Sequence, residues 1–81
     1  MANLWDVPAD VRNAVIGIID QGMARELGAP GFVDGADDQY RVTFWTFDGR
    51  VYRLEHAYRV DTVTRVQEVC GSARDRLLSE G

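Results

Sequence analysis

The chain contains no lysine: its nine basic residues are all arginines, set against thirteen acids, for a net charge of −4. That balance disfavours non-specific attachment to nucleic acid or to anionic membrane, both of which attract basic surfaces. A single cysteine, Cys70, leaves no partner for a disulfide within the chain, and a cytoplasmic location is expected. His56 is the one histidine, whereas histidine-based acid–base or metal sites recruit further groups. The only serines are Ser72 and Ser79, far in sequence from His56, which argues against a serine-type triad. No apolar run approaches transmembrane length, and Met1-Ala2-Asn3 lacks the basic start of a signal peptide. No membrane partner is therefore expected.

What is present is a small apolar-rich domain. Hydrophobic residues make up 46% of 81, enough to fold but too few to spare for an elaborate active site. The stretch Gln39–Tyr58, QYRVTFWTFDGRVYRLEHAY, reads as a β-hairpin turning at Asp48-Gly49, because glycine reaches positive φ without steric cost. Two registers compete. A two-residue loop would pair Phe44 with Arg53 and Val42 with Glu55, placing charge opposite apolar side chains. A three-residue loop, Phe47-Asp48-Gly49, pairs Phe44 with Tyr52, Val42 with Leu54 and Tyr40 with His56. It leaves Thr43 against Arg53 and Arg41 against Glu55 on the other face. Because it segregates the two faces, the bulged register is the expected one.

Helical spacing of Val11, Ala14, Val15, Ile18, Ile19, Met23 and Leu27 predicts a first helix over about 7–27. Asp6 would cap it, Pro8 would sit in its first turn and Gly28 would close it in a left-handed conformation. Residues 31–38 are expected to form an acidic loop, with Phe32 and Val33 either tucked under as an apolar anchor or extended as a short third strand. After the hairpin, Asp61 would cap a second helix over about 62–78. Its seam is Val63, Val66, Cys70, Ala73 and Leu77. The fold expected is a single α+β domain spanning 1–81, in the order α-β-β-α, with an antiparallel hairpin packed on two helices.

No catalytic, cofactor-binding or metal-binding residue is expected, and the chain is not read as an enzyme. The loop acids lack the alternating oxygen ligands and distal glutamate of an EF-hand. Cys70 falls on the apolar seam, where a thiol behaves as a small hydrophobe. His56 reads as a partly buried, hydrogen-bonded histidine. Two surfaces remain as candidates for binding. Residues 1–40 hold seven acids against Arg12 and Arg25, a net −5, while the remainder nets +1. Asp10, Asp20, Glu26, Asp34, Asp37 and Asp38 are thus candidate contacts for a basic protein partner, where charge aids encounter and specificity. The outer hairpin face, with Arg41, Trp45, Val51 and Arg53, is a candidate for partner binding or self-association, since tryptophan and arginine recur in interface hot spots.

Small size, acidity, the α-β-β-α layout and the lack of a catalytic constellation resemble phage-encoded anti-CRISPR proteins, at the level of layout alone and with no shared motif. The resemblance implies an inhibitor in the cytoplasm of a bacterial host. Its acidic surface would compete with DNA for the basic groups of a CRISPR effector complex. The alternatives are a homodimeric structural or regulatory protein and a single-stranded nucleic-acid accessory protein using Arg41, Trp45 and Arg53.

Overall fold

The computed structural model describes residues 4–28, 40–57 and 62–80. Their order is β1 (Leu4–Asp6), α1 (Ala9–Asp20), β2 (Arg25–Leu27), β3 (Tyr40–Phe47), β4 (Arg50–Ala57), β5 (Thr62–Val69) and α2 (Gly71–Glu80). The strands form one antiparallel sheet in the order β1-β5-β4-β3-β2. The α+β class expected from the sequence is present, but the α-β-β-α order is replaced by a five-stranded sheet with one helix against each face.

Each expected helix divides into a helix and a strand. Helix α1 begins at Pro8, whose extended backbone serves as the N-cap and whose carbonyl accepts from Arg12 N–H at 2.9 Å. Asp6 does not cap the helix; it lies in β1, opposite Gln67. The helix stops at Gly22, with φ 76°. There Gly22 N–H donates to Ile19 O and Met23 N–H to Ile18 O, the paired closing bonds of a Schellman motif. Gly22, not Gly28, is therefore the left-handed closing residue. Leu27 lies on strand β2, opposite Phe44. The expected second helix is strand β5 as far as Val69, and only Gly71–Glu80 is helical. Its strand half, TVTRVQEV, is rich in the β-branched residues that suit a pleated surface.

The hairpin takes the two-residue register, correcting the bulged one: Phe47 pairs with Arg50, Thr46 with Val51, Phe44 with Arg53 and Val42 with Glu55. Asp48 and Gly49 have φ 54° and 76°, the two positive values of a type I′ turn. This register is favoured because both faces of the sheet are covered. Tyr52 and Leu54 on β4 pack with Val66 and Trp45 against Val11, Val15 and Ile19 of α1. Val51 packs on the opposite side with Phe44, Val69 and Leu27 against Ala73 and Leu77 of α2. Strand β4 is thus buried on both faces, as central strands between helices are.

The charge that seemed misplaced in this register is neutralised within the sheet. Arg53 is buried on the α2 side, where its Nη1 donates to Glu55 Oε2 at 2.6 Å and to Gln67 Oε1 at 2.9 Å. Arg41 stands opposite His56 and does not take the cross-strand place against Glu55 expected for it. The expected loop 31–38, the Phe32–Val33 anchor and the Asp61 cap lie outside the described residues.

Candidate functional site

The α1-facing side of the sheet carries most of the polar and aromatic chemistry. Pairing across all five strands aligns Trp5, Glu68, Tyr52, Trp45 and Glu26 in one row. One register step away, Thr43 links two of the neighbouring rings. Its Oγ1 accepts from Trp45 Nε1–H at 3.0 Å and lies 2.9 Å from His56 Nε2. The alternation of β3 places Thr43 and Trp45 on the same face, and the pairing of β3 with β4 places His56 beside them. The two rings are thereby held by a single hydroxyl.

Trp45 and His56 form part of the wall of a cavity of about 200 Å³ between the C-terminal half of α1 and strands β3 to β5. Ile16 and Ile19 from the helix and Leu54 and Val63 from the sheet supply its apolar lining. Asp20 and Arg41, both exposed, complete the lining and set opposite charges at its rim. A second cavity, of about 320 Å³, lies under the N-terminal half of α1, with Asp10, Val11, Arg50 and Tyr52 among its walls. The Arg50 guanidinium is held above its ordinary pKa, first by its hydrogen bond with the Tyr52 side chain and then by the charge of Glu68.

The sequence candidates separate. Asp10 and Asp20 lie exposed near opposite ends of α1, and Glu26 is exposed on the edge strand β2. None of the three enters an ion pair among the described residues. Asp34, Asp37 and Asp38 lie outside the described residues. The hairpin set does not form one outer face. Trp45 and Arg41 line the α1-side cavity, whereas Val51 and Arg53 are buried on the α2 side. Trp45 opposes Tyr52, and Tyr40 opposes Ala57, not the His56 expected for it. Cys70, expected on a helical seam, is partly buried at the junction between β5 and α2.

Two features escaped the sequence reading. Thr43 matters only because Trp45 and His56 converge on it, which follows from the register. Trp5 is 65% exposed on edge strand β1. The signal for it was present in the sequence, a tryptophan beside Asp6 ahead of the first helix, but nothing marked Leu4–Asp6 as a strand. No known protein family, no curated protein and no solved structure matches this chain. Among the described residues, no helix is long and apolar enough to cross a membrane.

Proposed function

We propose that this chain is a small, acidic, non-enzymatic protein-binding domain that acts in the cytoplasm through the α1 side of its sheet. The observation carrying this reading is the exposure of Asp10, Asp20 and Glu26 on α1 and the adjoining β2 edge, none of them ion-paired among the described residues. Carboxylates so placed are available to a partner's guanidinium and ammonium groups at little desolvation cost, and they speed encounter with a basic surface. Under the finer form of the reading, the partner is a nucleic-acid-binding assembly such as a CRISPR effector, and the carboxylates occupy groups that would otherwise hold DNA phosphates.

The test compares the wild-type chain with a D10N/D20N/E26Q variant in affinity capture from bacterial lysate, followed by competition with duplex DNA. The reading expects a nucleic-acid-handling assembly to be retained by the wild type, lost from the variant and displaced by DNA. Equal retention by both proteins would remove the acidic surface from the mechanism.

A second reading, a homodimer, is favoured by Trp5, exposed on a three-residue edge strand whose outer side no described residue pairs. Edge strands of this kind associate readily with a second strand. Sedimentation of the wild type as a monomer at every concentration, unchanged in W5A, would remove it.

A further inference from the structure

The cleft under the N-terminal half of α1 opens between that helix and the β3–β4 turn. Its volume of about 320 Å³ reaches the lower end of the roughly 300–1,000 Å³ of pockets that hold ligands. Val11, Val15 and Ile18 of α1 and Phe47 of β3 give it an apolar floor. Two exposed carboxylates border it, Asp10 from the first turn of the helix and Asp48 from the hairpin turn. Neither enters an ion pair among the described residues.

The one cation in the wall, Arg50, is served from within the protein. Its guanidinium is hydrogen-bonded to the Tyr52 side chain and faces the charges of Glu68 and Asp48. Three carboxylates (Asp10, Asp48 and Glu68) thus stand around a single guanidinium, and the cleft keeps an acidic excess. An anion would be repelled there, and a purely apolar ligand would strip the carboxylates of water without replacing its hydrogen bonds. A bare cation would leave the floor uncovered. An arginine side chain meets both demands, since its methylene stem packs on apolar surface while its head stays charged. Its planar guanidinium also suits carboxylates and aromatic rings, and Phe47 supplies a ring in this wall.

We infer that this cleft receives an arginine side chain of a protein partner, with the stem on Val11, Ile18 and Phe47 and the guanidinium at Asp10 and Asp48. The inference rests on the acidic-surface reading above and names the group that its partner presents.

The test is an NMR titration of the full ¹⁵N-labelled chain at low salt, read at the amides of Val11–Val15 and Gly49. The probes are a capped tripeptide with arginine between two alanines, the same peptide with citrulline in place of arginine, and guanidinium chloride. The arginine peptide should shift these signals saturably, while the citrulline peptide and the guanidinium ion should bind about fivefold more weakly. D48N should weaken the arginine peptide by a similar factor without disturbing the fold, because Asn-Gly suits a type I′ turn. E80Q removes the same charge from the end of α2, on the other side of the sheet, and should change nothing.

Equal binding of the citrulline peptide, or equal weakening by E80Q, would overturn the pairing of the guanidinium with these carboxylates. Equal binding of the guanidinium ion would overturn the role of the apolar floor. Absence of a saturable shift would overturn the inference as a whole. The acidic surface would survive any of these results, since its own test also reads Asp20 and Glu26, which do not line this cleft.

Discussion

Arg53 Nη1 lies 2.6 Å from Glu55 Oε2, joining two residues that share one strand and one face of the sheet. With Gln67 as a second acceptor, the guanidinium is held on the α2 side of the sheet, the side of Phe44, Val51 and Val69. Removing one member of such a pair leaves the other poorly solvated, whereas removing both does not. R53A should therefore lose about 2–3 kcal/mol of stability in urea unfolding, a figure reduced because Glu55 keeps some solvent contact. The double variant R53L/E55L should lose less than R53A alone. A double loss equal to the sum of the single losses would show that the two side chains are not coupled.

Three glycines divide by sign. Gly17 lies inside α1 with nothing within 4 Å of an added Cβ, so G17A should stabilise by about 0.5–1 kcal/mol. Gly22 and Gly49 have equally open surroundings but φ of 76°, so G22A and G49A should each cost about 1–2 kcal/mol. Thermal unfolding of the three single variants checks the contrast. If α1 continued through residue 22, G22A would also stabilise.

Thr43 serves two rings through one oxygen. T43V keeps the shape but removes the acceptor for Trp45 Nε1–H and the partner of His56 Nε2, and should cost about 1–2 kcal/mol. T43S retains the hydroxyl and should recover most of that loss. The Trp45 indole proton should move markedly in the spectrum of T43V and little in that of T43S.

Met23 and Leu27 fall on the same helical stripe in the sequence but not in the structure. Met23 is 57% exposed and Leu27 is buried beside Phe44. L27A should cost about 2–3 kcal/mol, and M23A should stay within about 0.5 kcal/mol of wild type. Denaturant midpoints of the pair distinguish a strand at 25–27 from a continued helix.

The position of the hairpin turn and the packing face of α1 were legible in the sequence, because Asp48-Gly49 and the spacing of Val11, Val15 and Ile19 are local signals. The registers and the second half of the chain were not. In a regular strand, residues three apart point to opposite faces, so Val63 and Val66 read as helical. The pairing of β4 with β5 shifts between Glu55 and His56, and the extra residue brings both valines to the α1 side. Cys70, Ala73 and Leu77 then continue the same spacing across the junction into α2. The hairpin register was misjudged for a related reason. Face segregation is a sound criterion for a sheet with one wet side, and here Arg53 is buried beside Phe44 because Glu55 and Gln67 meet it there. Of the candidate contacts, Asp10, Asp20 and Glu26 lie exposed, and the hairpin set is divided by the sheet itself.

The sheet order separates near neighbours from distant ones. Strands β3, β4 and β5 form a meander in which each strand pairs with the next, whereas β1 joins β5 by matching Leu4 with Val69. Loop-closure entropy grows with the length of chain enclosed, so the meander can assemble before the N-terminal strand arrives. Strand β1 is thus expected to dock last and to be released first. Hydrogen exchange should find a native ensemble in which Leu4–Asp6 opens well below the free energy of global unfolding, while the amides of β4 exchange only when the whole molecule does.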